Sequence, residues 1–228
     1  ALEMTILDVS RGGAIFVDAP GEEADFLVDG GDARAGARVV VPCLRAAGVD
    51  RLAAVVLTRA DQNHAAGLSA VAAEVPVRRA FHAGLWSRSE AYASWLADCQ
   101  RRGIELEKWR CGSEWGRVRV FHPPSGGATE RSEDQVLVLG VEFGATRVVL
   151  VGDASAAVLQ AVQPSVQAYR PQVVAQGAGG GHGHFHHADA PIGHSLHIRN
   201  DVFLDVFQFH RRQYAGRFGP IDGIFSFI

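Results

Sequence analysis

Cysteine is scarce in this chain. Cys43, Cys99 and Cys111 are the only three, and none forms a CxxC pair. An odd number spaced in this way supplies no disulfide framework, and Cys43 and Cys99 fall within helical patterns, where they read as buried thiols. Long apolar runs are missing too: none reaches the 18 or so residues that a bilayer-crossing helix needs. The N-terminus lacks a basic segment followed by an apolar stretch, so no signal peptide is visible. No GxSxG, GxxxxGK[ST] or strand-following GxGxxG is present, which removes the serine-hydrolase, phosphate-loop and dinucleotide readings. Lysine is almost absent, Lys108 being the only one, and the net charge is -3. That balance gives no global argument for nucleic acid or membrane affinity. The local clusters Arg78-Arg79 and Arg101-Arg102 read as solvated ends of elements.

What is present is ordinary globular composition, 47% hydrophobic and 21% charged, in a length of 228 residues that suits one large domain or two small ones. Alternation over Leu2 to Val9 predicts a strand, followed by strands at Ala14 to Asp18 and Asp25 to Val28. Arg11-Gly12-Gly13 and Ala19-Pro20-Gly21 separate them, as in an antiparallel meander. Val39 to Ala47 has helical spacing and stops at Gly48. Leu52 to Leu57 is almost wholly apolar, which suits a central strand covered on both faces. A helix from Ala65 to Glu74, a strand from Val77 to His82 and a helix from Arg88 to Arg102 follow. Strands are expected at Ile104 to Lys108 and Arg117 to Phe121. A hairpin at Val136 to Glu142 and Thr146 to Val151 turns at Gly144-Ala145. A helix from Ala154 to Val162 is expected to stop at Pro164, before a last strand at Gln172 to Ala175. Helices alternating with strands, with frequent antiparallel pairs, predict an α/β fold of sheets covered by helices.

From about Gly177 the composition changes. QGAGGGHGH has no periodicity, and from His182 onward lie seven of the ten histidines and seven of the twelve phenylalanines. Residues 1–176 are therefore read as one domain, and residues 177–228 as a His/Phe-rich tail outside its fold, disordered or frameshifted. His182, His184, His186 and His187, in HGHFHH, form a tract that binds transition metals readily and reads as a flexible chelator. The opening ALEMTILDV is already strand-like and lacks an initiator Met, as expected of a domain cut from a longer protein.

The stretch LTRADQNHAAGL, Leu57 to Leu68, carries polar residues between an apolar strand and a small-residue helix. Such loops present side chains at the carboxyl edge of a sheet, where ligands commonly bind. Hydrolytic zinc sites need three or four His, Asp or Cys donors around an open position. Here the loop offers Arg59, Asp61, Asn63 and His64.

Taken in order, LEMTILDVSRGGAIFV, FLVDGG, AAVVLTRADQNHAAGL and VVLVGDA resemble the metallo-β-lactamase-type domain of ComEC-type competence proteins, over about Leu2 to Ala175. The resemblance implies an αββα sandwich and a place in bacterial DNA uptake. It also implies single-stranded DNA as a partner, a membrane channel domain in the parent protein, and a soluble domain tethered to the inner membrane through a missing N-terminal part. The family's HxHxDH falls on Arg59 to His64, with Arg59 and Asp61 at the first two histidines, Asn63 at the aspartate, and His64 kept. Gly152-Asp153 keeps the family's glycine-aspartate. Its Pro-His-His-Gly-Ser-like turn falls on Val173 to Gly181, with Ala178 and Gly179 at the histidines. Arg11-Gly12-Gly13 stands for an early Gln-Gly-Asp, and Arg131, Ser132, Glu133 and Asp134 replace an Asn-rich turn.

By this correspondence the metal donors that remain are His64, Asp61 and Asp153, and no residue is assigned as catalytic. Arg59 puts a fixed positive charge where a dication would sit. At about 4 Å and an effective dielectric of 20, unit charges repel by roughly 4 kcal/mol, and a dication is repelled by about twice that. Asp61 offsets this if it pairs with Arg59. The expectation is a degenerate, non-catalytic domain with no metal and no small-molecule cofactor. The competing reading is a metal-dependent nuclease or phosphodiesterase using zinc or manganese at the residual site, and a third is the remnant of a decayed gene. In the bland reading of the same residues, Asp61 pairs with Arg59 or caps the helix, Asn63 is the better cap by position, and Asp153 caps the helix from Ala154. Asp29-Gly30-Gly31 is then only a turn.

Overall fold

A computed structural model of the chain describes residues 3–19, 25–84, 87–126, 134–171 and 173–176. The tail at 177–228, with its His182 to His187 tract, and the positions Arg131 to Glu133, Ala178 and Gly179 lie outside the described residues.

Strands β1 (Glu3–Ile6), β2 (Ile15–Asp18) and β3 (Phe26–Val28) form the expected antiparallel meander. The turn between β1 and β2 depends on Gly12, at φ +75, where a Cβ would stand 1.9 Å from the main-chain oxygen of Asn63. No residue with a side chain fits there. The helical spacing starts at Val39, but helical structure begins six residues earlier because Asp32 caps it, accepting from the Ala35 N–H at 2.8 Å. This first turn, α1 (Ala33–Ala35), runs through a π-helical stretch at Gly36–Val40 into α2 (Val41–Ala46). Gly48, at φ +74, follows the helix as predicted.

Next come β4 (Leu52–Leu57), α3 (Gln62–Glu74), β5 (Val77–His82), α4 (Glu90–Arg101) and β6 (Glu105–Lys108). β3, β4, β5 and β6 pair in parallel, so the first sheet runs β1-β2-β3-β4-β5-β6 with the wholly buried β4 inside it. The second sheet runs β11-β10-β9-β8-β7. It contains β7 (Glu114–Trp115), β8 (Val118–His122), the hairpin of β9 (Val138–Phe143) and β10 (Thr146–Gly152), and β11 (Val173–Gln176). α5 (Ala156–Tyr169) crosses from β10 to the parallel β11. The two-residue β7 is too short to show alternation, and the sequence does not predict it.

Three apolar layers hold these elements together. Leu44, Leu68, Val71 and Trp95 cover one face of the first sheet from the helices. Val56, Phe81, Trp109, Leu139 and Val148 fill the space between the two sheets, with Phe81 stacked on Trp109 at 3.9 Å between ring centroids. Val158, Val162 and Tyr169 of α5 cover the far face of the second sheet. The order is helices, sheet, sheet, helix, which is the predicted αββα sandwich. No helix among the described residues is long and apolar enough to cross a membrane.

Three local expectations are corrected. α3 starts at Gln62, not Ala65, and its N-cap is Asp61, not Asn63: Asp61 Oδ1 accepts from the Asn63 N–H at 2.9 Å. Asp153 does not cap α5; Ser155 does, accepting from the Val158 N–H at 3.2 Å. Pro164 does not stop α5, which continues to Tyr169. Pro164 and Gln160 are both exposed, so water can take the carbonyl that the missing N–H leaves free.

Candidate functional site

The carboxyl ends of β3 and β4 lie side by side because Val28 and Val56 are parallel neighbours. Asp29 and Thr58, one step beyond Val28 and two beyond Val56, therefore meet. Asp29 Oδ1 accepts from the Thr58 N–H at 2.8 Å and Oδ2 from the Thr58 hydroxyl at 2.5 Å. Asp29 holds a left-handed φ of 59° to do so and is 5% exposed. It is more than a turn residue. The sequence signal for it is an aspartate closing an apolar strand before Gly-Gly, beside a strand ending in threonine.

The second sheet meets the same edge. The Leu137 N–H donates to the Thr58 carbonyl at 2.8 Å, and Arg59 forms an isolated antiparallel bridge with Val136. Just beyond the end of β10, the carboxylate of Asp153 comes within reach of His64. The three predicted donors are thus brought together. His64 Nδ1 lies 2.7 Å from Asp61 Oδ1, and His64 Nε2 lies 3.7 Å from Asp153 Oδ2. Arg59 Nε lies 3.0 Å from Asp61 Oδ2, and Arg59 Nη1 donates to the Asp153 carbonyl at 3.4 Å. The Asp61–Arg59 pair and the Asp61 cap expected from sequence are both present, on different oxygens of one carboxylate.

The electrostatics follow from burial and charge. Burial alone would strip His64 of its proton. The charge of Asp29, the hydrogen bond and charge of Asp61, and the charge of Asp153 outweigh it and raise the imidazole to about 9. Burial pushes Asp29 up to about 6 against the pull of His64 and Thr58. Burial would also raise Asp61, but His64 and then Arg59 hold its carboxyl below the usual range. Asp153 is raised, because burial dominates over His64 and Arg59. The contrast between these last two has a geometric cause. Asp61 shares a hydrogen bond with His64, whereas Asp153 stands farther off with Oδ1 buried and without a hydrogen-bond partner.

Two further buried histidines carry no assignment from the sequence. His82 Nδ1 takes the Tyr92 hydroxyl at 2.7 Å and the Gly84 N–H at 3.0 Å, beside a cavity of about 10 Å³ with room for about one water. Burial, Lys108 and Arg110 press it down to about 4, so it is neutral. His122 Nδ1 lies 2.8 Å from the Val136 carbonyl, which makes it a buried strand histidine.

This donor set fits a metal poorly. Among the described residues, no group of three or more His, Cys, Asp or Glu is arranged to hold one. Both ring nitrogens of His64 face carboxylates, and the Asp61 oxygens are taken by His64 and Arg59. A two-metal centre would need roughly twice the donors gathered here.

No protein-family model matches the chain. A curated relative, ComE operon protein 3 of Bacillus subtilis (strain 168), is 24% identical over 170 residues, covering 66% of this chain. The chain spans 22% of that relative's length. Among solved structures, a metallo-β-lactamase-type protein of Thermotoga maritima matches with a TM-score of 0.55 and 11% identity, over 77% of this chain and 97% of that one. A Cronobacter sakazakii metallo-β-lactamase mutant with a HARLDQ motif matches with a TM-score of 0.51 and 11% identity, over 73% of this chain and 71% of that one. At such identities the likeness establishes the fold alone. The chain has a metallo-β-lactamase fold.

Proposed function

We propose that this chain is a non-catalytic metallo-β-lactamase-fold domain acting in or near DNA internalisation. One observation carries the first half: Arg59 and the protonated His64 neutralise Asp61 and Asp153 from within, at the edge where a hydrolytic metal would need those same atoms. The second half is supported by the relative named ComE operon protein 3 and by the motif order that suggests the same family. Single-stranded DNA is the partner in this reading, and a membrane channel elsewhere in the parent protein tethers the domain to the bacterial inner membrane. No catalytic residue and no cofactor are assigned.

The competing reading, a metal-dependent nuclease or phosphodiesterase, is favoured by one atom: the orphaned Asp153 Oδ1, a spare oxygen donor. The two separate in one assay. A labelled single-stranded oligonucleotide is incubated with the full chain and added zinc or manganese. The expected result is salt-sensitive binding without cleavage. Cleavage that is lost in His64→Ala would establish the hydrolase and sink the non-catalytic reading. Absence of binding at low salt would sink the DNA partner.

A further inference from the structure

Arg59 is pinned at a junction. Its backbone bridges Val136 of the second sheet, and the preceding Thr58 accepts from Leu137. The side chain then turns to two places at once. Nε reaches Asp61 Oδ2 at 3.0 Å, in the loop after β4, and Nη1 reaches the Asp153 carbonyl at 3.4 Å, just beyond β10. Residues 94 positions apart are thereby joined by one guanidinium. His64 makes a second link between the same two loops, 2.7 Å from Asp61 Oδ1 and 3.7 Å from Asp153 Oδ2. A divalent ion bridging these loops would draw on Asp61 Oδ2, His64 Nε2 and the unpartnered Asp153 Oδ1. Arg59 already holds the first of these atoms and supplies the positive charge that the loops require.

We propose that Arg59 is a resident cation: it joins the two loops as a bridging metal would, and it shuts a one-metal site that Asp61, His64 and Asp153 form once the guanidinium is removed. The inference rests on the non-catalytic reading above. The donors of the opened site are one imidazole and two carboxylates, with a fourth position for water. That set suits zinc, or cobalt as its coloured substitute. The guanidinium excludes the ion by repulsion and by holding Asp61, and because it is part of the chain no chelator can remove it.

The test uses the full chain and Co²⁺, read by visible absorption and equilibrium dialysis. The His182 to His187 tract is present in every variant and adds a constant background, so the site's signal is the part that Asp153→Asn removes. The wild type is expected to show background only. Arg59→Gln should gain about one cobalt ion per chain, and Asp153→Asn in that variant should weaken it roughly tenfold or more. Arg59→Lys keeps the charge and should stay at background. Arg59→Gln keeps hydrogen-bonding capacity, so it decides if Arg59→Ala fails to fold by circular dichroism. The inference is overturned if the wild type already holds a cobalt that Asp153→Asn releases, or if Arg59→Gln folds and takes up no more than the wild type. The latter result leaves the non-catalytic reading standing. Metal-dependent cleavage by the wild type overturns that reading instead.

Discussion

His64 sits 3% exposed among Asp29, Asp61 and Asp153 and keeps its proton up to about pH 9. Its folded pKa lies above the ordinary 6.5, so the folded protein holds a proton that the unfolded chain releases between those values. The resulting stabilisation is fully present below pH 6.5 and is lost as pH rises through about 9. It amounts to roughly 3 kcal/mol, because each tenfold gain in proton affinity on folding is worth about 1.4 kcal/mol. Between pH 4 and 6.5 two other groups oppose each other. His82, held down near 4, loses stability as pH falls through that range, whereas Asp29, raised to about 6, gains it. The window from 6.5 to 9 is therefore the informative one. The urea midpoint of the wild type should fall across it, and His64→Gln should start lower and stay flat. A wild-type midpoint that does not change between pH 6.5 and 9 would remove the ion-pair account of this centre.

At the scale of elements, α5 shows how packing overrides a local rule. A proline inside a helix removes one hydrogen bond and strains the preceding turn. The helix survives Pro164 because Val158, Val162 and Tyr169 bury one side against the second sheet while Pro164 faces water. Pro164→Ala restores an N–H for the Gln160 carbonyl and should stabilise the protein by about 1 kcal/mol, less than the full helix-propensity difference because proline also restricts the unfolded chain. Urea denaturation measures it, and a lower midpoint would mean that α5 is shaped to its proline. The start of the helix is set by chemistry of a different kind. Ser155 caps α5 and also donates its hydroxyl to Asp134, so the segment before β9 is tied to the same helix end. α3 begins at Asp61 for a comparable reason, the cap and the ion pair sharing one carboxylate.

The whole molecule depends on the layer between its sheets. Phe81 and Trp109 are fully buried there and stacked at an interplanar angle of 20°. Phe81→Ala removes the ring from both sheets at once and should cost about 3–5 kcal/mol. Because the carboxyl edges of β4 and β10 are held in register by this layer, loss should be cooperative. Far-ultraviolet circular dichroism and tryptophan fluorescence should report a single, lowered transition. Two separate transitions would show that the sheets unfold independently and that the candidate site is not positioned by their contact.

Much of this architecture is local information, legible in the chain before any folding. The apolar run Leu52–Leu57, the turns at Gly12 and Gly144, the helix stop at Gly48 and the strand order follow from periodicity and backbone preference, which short stretches of chain carry by themselves. The residue types of the candidate centre are legible too: Arg59, Asp61 and His64 within one loop, and Asp153 far along the chain. Their arrangement is not. The bond from Asp29 to Thr58, the span of Arg59 across both loops and the protonation of His64 arise only when β3, β4 and β10 end side by side. Charges separated by 94 positions interact strongly only after folding excludes water between them. The sequence therefore determined which charges this centre would contain, and the tertiary structure decided that they neutralise one another.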